Sequence, residues 1–208
     1  MSRPTDGLQC DADGILLSRD LRSGGTWLGL NTRTRVYASL TNVRDKKSPP
    51  NPAAAPSRGM LVISVLRGSA LQPQNLASLC DASATGEATV ELDGDYAGFN
   101  LVVAALDSLP AIVIVISNRI NGVPTGRAQV IARRVDPGIH AVSNSFLDDE
   151  SWGKVAWVRQ HLQSTLPSWC SANDATIVDS TGTPATDVSD RSEMIAFCGL
   201  LSSISSIM

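Results

Sequence analysis

Asn42, Asn100, Ser143 and Asn144 are the side chains of this sequence whose types suit chemistry and whose positions fall at the ends of predicted strands. An asparagine amide offers two donors and an acceptor, which fits it to an oxyanion or to a ligand carbonyl. The plainer role for the same groups is to hold turns through bonds to nearby backbone. Gly25, Thr26 and Trp27 offer a pocket wall, the glycine allowing close approach and the indole giving an apolar surface. Core packing is the default for Trp27 all the same. Arg3 and Arg119 could contact an acidic ligand, but a lone arginine is ordinarily a solvated or paired surface group.

Other chemistries find little purchase. His140 and His161 are the only histidines, and no Gly-x-Ser-x-Gly elbow accompanies them. His140 reads as a packed strand histidine, and His161 as a solvent-facing residue of a helix. No His-x-x-x-His spacing occurs, so metal catalysis is not expected. Cys10, Cys80, Cys170 and Cys198 are widely separated and form no Cys-x-x-Cys pair, which points to reduced thiols, mostly buried, rather than a zinc or redox site. Gly24-Gly25 is followed by no Gly-Lys-Ser/Thr and leads into a strand, so it is not a phosphate loop. Basic clusters stop at Arg44-Asp45-Lys46-Lys47 and Arg133-Arg134, and nucleic-acid binding has no support.

The 208 residues carry 17 basic against 20 acidic side chains, a net charge of -3, and so no general cationic field for phosphates. With 43% hydrophobic and 18% charged residues the chain has the composition of a globular domain. The longest uninterrupted apolar run, residues 111–116, is far below the roughly 18 residues of a spanning helix. A soluble protein with no transmembrane segment is expected.

The elements that must position these residues follow from periodicity. Residues 26–31 and 35–41 alternate around Thr32-Arg33-Thr34 as a half-buried hairpin does. Prolines and alanines make residues 44–57 a loop. Ser57 is placed to cap a helix through about Leu66, broken by Gly68. Residues 99–106 and 111–117 are aliphatic runs of the kind covered on both faces. Residues 128–135 and 139–143 read as another strand pair around Asp136-Pro137-Gly138. Asp149 or Ser151 can cap a helix from Trp152 to about Thr165, ended by Pro167. Residues 171–190 read as a loop, and 191–204 as an amphipathic helix. Strand pairs with helices between and after them predict an α+β sandwich.

Certain strings carry more than their chemistry: Ser2-Arg3-Pro4-Thr5, Gly24-Gly25-Thr26-Trp27-Leu28-Gly29, Leu40-Thr41-Asn42, Ser57-Arg58-Gly59, Tyr96-Ala97-Gly98-Phe99-Asn100-Leu101, Ser117-Asn118-Arg119 and Pro137-Gly138-Ile139-His140-Ala141-Val142-Ser143-Asn144. In this order, running to about Trp157, the chain resembles the transport and Golgi organisation protein 2 family, also called the NRDE family. The resemblance implies an αββα sandwich like that of N-terminal nucleophile hydrolases, in one domain over residues 1–208. It also makes Arg3 and Pro4, with Gly25, Thr26, Trp27, Asn42, Asn100, Ser143 and Asn144, the candidate ligand-binding or motif residues. Family members open with Met-Cys and an Asn-Arg-Asp-Glu tetrapeptide before the Ser-Arg-Pro segment, whereas here Met1 precedes Ser2 directly. The fold is therefore expected to be incomplete, lacking the first strand and the C-terminal strands, and marginal or aggregation-prone.

In such hydrolases the first mature residue attacks, activated by its own α-amine of pKa about 7.7–8.0. The family's cysteine is missing here, and Ser2 falls after the first strand, so no catalytic residue is assigned. What the resemblance implies is a non-catalytic protein of Golgi and secretory-pathway organisation, cytoplasmic or peripheral at Golgi or mitochondria. A small apolar or haem-like ligand, lipid included, and secretory-pathway proteins are the partners it brings in. An amide hydrolase in a full-length form is the alternative.

Overall fold

Aliphatic and β-branched runs build most of one large antiparallel sheet. In this computed structural model the described residues are 4–43, 55–69, 71–108, 110–120, 123–126 and 128–172. The chain divides into two compact units, residues 1–135 and 136–208.

The first unit holds strands β1 (Gln9–Cys10), β2 (Ile15–Leu17), β3 (Leu28–Asn31), β4 (Val36–Asn42), β5 (Glu87–Glu91), β6 (Phe99–Ala105), β7 (Ile112–Ser117), β8 (Arg119–Ile120), β9 (Val123–Pro124) and β10 (Gln129–Arg134), with helices α1 (Gly59–Leu66) and α2 (Pro73–Asp81). Eight strands form one sheet in the order β1-β2-β3-β4-β6-β7-β10-β5, and β8 and β9 form a separate pair. All pairings are antiparallel. This mixed architecture of sheet and helices is the α+β class expected, and it is compatible with the N-terminal nucleophile hydrolase arrangement.

The predicted hairpin is β3–β4, with Leu30 opposite Tyr37. Every residue of β6 is buried, as its unbroken hydrophobicity demanded. Val36, Ala38, Leu40, Leu101, Val103, Ile114, Ile116 and Val130 join Leu61, Val62, Leu66 and Leu76 in a single core. At full burial each such valine, leucine or isoleucine side chain contributes about 1.5–3 kcal/mol. Asn31 closes the turn after β3: its Oδ1 accepts the Arg33 and Thr34 amides at 2.9 and 3.0 Å, and its Nδ2 donates to the Leu66 carbonyl at 2.9 Å. Asn31→Ala is expected to cost about 2 kcal/mol by stranding these groups, read as a lower urea midpoint at unchanged m-value.

Several expectations need correction. The N-cap of α1 is Arg58 with no side-chain capping bond; Ser57 instead accepts the Met60 amide through its carbonyl at 3.1 Å. Gly68 ends α1 as expected, in the left-handed region at φ 89°. Helix α2 and strand β5 went unpredicted, although Pro73, Leu76, Ala77 and Cys80 repeat with helical period and proline starts the helix. Residues 139–143 are not a strand. Both edges of β10 are taken, by β7 and by β5, so no edge is left for them to pair with it.

In the second unit, helix α3 (Gly153–Ala172) runs through Pro167 and includes Ser171 and Ala172, so the expected loop over 171–190 begins no earlier than residue 173. One proline removes one backbone bond, which can kink a helix without ending it. The predicted helix over 191–204, the loops over 44–54 and 173–190, and Arg3 lie outside the described residues.

Candidate functional site

A loop, a strand end and a helix start meet at one cleft of the first unit. The loop is residues 20–25. Asp20 donates its amide to the Gly25 carbonyl at 2.8 Å, and its carboxylate accepts the Arg22 amide and the Ser23 hydroxyl, each at 2.9 Å. Gly24 turns at φ 71°, where a side chain would be strained. Thr26 then anchors the start of β3 by donating its hydroxyl to the Ser18 carbonyl at 2.7 Å.

The helix start comes close because two glycines cross. The Thr26 amide donates to the Gly59 carbonyl at 3.2 Å, and a Cβ on Gly59 would fall 2.8 Å from the Thr26 nitrogen. Arg58 ties the same segment to the end of β6, donating from Nη1 to the Gly98 carbonyl at 2.8 Å. That carbonyl also accepts the Val43 amide, just beyond Asn42, at 3.0 Å.

The cleft so formed has a volume of about 290 Å³ and is lined by Asp20, Ser23, Gly25, Thr26, Trp27, Asn42 and Ser57–Gly59, with Ala55, Pro56 and Ala97. This lies at the lower edge of the range of roughly 300–1,000 Å³ for small-molecule sites. Trp27 is partly buried against the core, so it serves as wall and packing residue together. Asp20 is only 1% exposed, a carboxylate held in place by the loop it closes. Among the described residues, none that lines the cleft is a histidine or a cysteine.

Gly25, Thr26, Trp27 and Asn42 are thus brought together. Pro4 is exposed and stands apart from the cleft, its carbonyl accepting the Leu21 amide at 3.0 Å. Asn100 pairs with Thr41 and Ser117 across β4, β6 and β7 and is 1% exposed. Strand alternation turns it to the sheet face opposite that of its neighbour Phe99. Asp20 and Ser23 were missed; the signal was an acidic residue ahead of Ser-Gly-Gly, the composition of a side-chain-closed turn. Asn118, which the sequence marks only within the Ser117-Asn118-Arg119 family correspondence, is a buried bracket. It accepts the Phe99 amide at 2.9 Å and donates to the Tyr96 and Ala97 carbonyls at 2.9 and 3.2 Å. Nearby, burial and a hydrogen bond to Asp93 push the Tyr96 phenol up to about 12, so it keeps its proton at neutral pH.

Cys10 is exposed and Cys80 is buried, and burial lifts the Cys80 thiol above its usual value. For Cys80 that is the opposite of the lowered pKa that a reactive thiol requires.

Ser143 and Asn144 belong to the second unit, within a loop spanning residues 141–148. His140 stands at the base of this loop and is not a strand residue. Its Nδ1 is 2.7 Å from Asp148 Oδ2, and its Nε2 is 3.0 Å from the Asp136 carbonyl oxygen. The hydrogen bond with Asp148 raises the His140 pKa despite opposition from burial. His161 is exposed on α3, as expected, and stacks on Trp157 with ring centroids 5.1 Å apart.

A family model described as Transport and Golgi organisation 2 matches residues 1–197. No curated protein matches the chain.

Proposed function

The chain belongs to the Transport and Golgi organisation 2 family, and we propose that it acts in transport and Golgi organisation by binding a small amphipathic ligand in the cleft walled by Trp27, without catalysis. One observation carries this reading: Gly25–Trp27, Asn42 and Ser57–Gly59, far apart in sequence, line a single cleft. The lining supplies an apolar indole beside a carboxylate, an amide, hydroxyls and a guanidinium. Such a mixture suits the polar end of a lipid-like molecule with a short apolar neighbour.

Haem fits these residues poorly. Among the described residues the cleft offers no imidazole or thiol, and both nitrogens of His140 already face acceptors. Among the described residues no helix is long and apolar enough to cross a membrane, which accords with action at a membrane surface rather than through it. We place that action peripherally, at Golgi or mitochondria. Amide hydrolysis of the N-terminal nucleophile type is the second reading, favoured only by the compatible arrangement of antiparallel sheet and helices.

Titration with a long-chain acyl compound and, separately, with haem, followed by tryptophan fluorescence, tests the proposal. Saturable quenching by the acyl compound is expected, and calorimetry, which does not depend on the indole as reporter, should give an affinity at least about tenfold weaker in Trp27→Ala, as for loss of an aromatic anchor. No saturable response to the acyl compound removes the reading. A response to haem alone removes it equally.

A further inference from the structure

We propose that His140 and Asp148 form a protonation latch that holds closed the loop of residues 141–148, the segment carrying Ser143 and Asn144. The base of the loop is a reciprocal pair. The Asp148 amide donates to the Ala141 carbonyl at 2.8 Å, and the Ala141 amide donates to Asp148 Oδ1 at 2.9 Å. Asp148 thereby joins the two ends with its backbone and one carboxylate oxygen. Its second oxygen is left for His140 Nδ1, at 2.7 Å.

The imidazole decides whether this arrangement is satisfied. With Nε2 3.0 Å from the Asp136 carbonyl oxygen, both ring nitrogens face acceptors. An imidazolium donates a proton to each. A neutral ring has one N–H and must turn a lone pair toward either the carboxylate or the carbonyl. Deprotonation therefore strands one partner and weakens the hold on Asp148. Asp148 itself sits at φ 58°, in the left-handed region that aspartate tolerates better than most side chains.

The other charged groups around the ring are few. Arg159, from α3, has Nη1 3.8 Å from Asp148 Oδ1 and 3.0 Å from Glu150 Oε1. Its charge opposes the imidazolium, but the hydrogen bond to Asp148 outweighs it and His140 stays raised. For Asp148, burial works upward, while the His140 and Ala141 hydrogen bonds and the Arg159 charge bring the pKa below its usual value.

The signs define a window. His140, raised on folding, contributes fully below its unfolded pKa of about 6.5, and the contribution is lost as pH climbs through the folded value. Asp148, lowered on folding, contributes fully above about 3.9, and that contribution is lost as pH falls through its depressed value. The latch is closed between these limits and opens on the alkaline side of the His140 titration.

Amide hydrogen exchange of Ala141 and Asp148 in the whole chain, corrected for the intrinsic rate and followed by NMR from about pH 5.5 to about pH 8.5, tests this. Protection is expected to fall at least about tenfold in step with the His140 ring shifts, the equivalent of one charge-assisted hydrogen bond. His140→Gln should lose the pH dependence, while His161→Gln, which removes the other histidine, keeps it. A flat wild-type profile overturns the proposal whatever the variants do, and so does a His140→Gln profile that still follows pH.

Discussion

Gly59→Ala is expected to lower the unfolding free energy by about 3 kcal/mol, near the upper end of what overpacking costs. The new Cβ would lie 2.8 Å from the Thr26 nitrogen, 2.9 Å from the Thr26 oxygen and 3.1 Å from the Gly25 Cα. These are backbone atoms, so no side-chain rotation relieves the clash. The first turn of α1 must move away from β3, breaking the bond from the Thr26 amide to the Gly59 carbonyl and spreading the cleft. Gly153→Ala is the matched control, since a Cβ there meets nothing within 4 Å. Denaturant titration of both variants checks the expectation. Equal midpoints would show that the two glycines do not cross as closely as the structure has them. The same Gly59→Ala protein should also lose the acyl response attributed to the cleft.

Asn118→Ala is expected to cost about as much, again about 3 kcal/mol, through the opposite mechanism of removal rather than crowding. Asn118 is 5% exposed and serves a backbone amide and two backbone carbonyls of residues 96–99. Alanine leaves all of them buried without this partner. Asn118→Asp discriminates between acceptor and donor roles. It retains an oxygen for the Phe99 amide but offers no N–H to Tyr96 or Ala97, so a loss at least as large as alanine's is expected. A urea midpoint for Asn118→Asp close to that of the parent would mean that the Phe99 amide alone matters.

Much of the sheet could be read locally. The hairpin β3–β4 shows itself in alternation around a polar turn, and β6 and β7 in β-branched runs too apolar for one-sided exposure. Strand β5 is weaker because Glu87, Thr89 and Glu91 leave only Ala88 and Val90 to mark the buried face. Residues 139–143 have strand-like composition, yet β-propensity describes fitness for a pleated surface and cannot say whether an edge is available. His140 changed role for the same reason: without strand neighbours it is held by Asp148 and the Asp136 carbonyl.

The cleft was legible only in pieces. The Gly-Gly-Thr-Trp string, Asn42 and the Ser-Arg-Gly tripeptide each stood out, but nothing local joins positions 25, 42 and 59. That meeting depends on a long-range glycine crossing and on Arg58 reaching the Gly98 carbonyl. Residue pattern was enough for the family, the α+β class and the main strands, since periodicity and turn chemistry act over a few residues. The convergence of Asp20, Trp27, Asn42 and Arg58, the face taken by Asn100 and the seating of His140 waited on the fold, because burial and hydrogen-bond partners are properties of chain segments that sequence separation keeps apart.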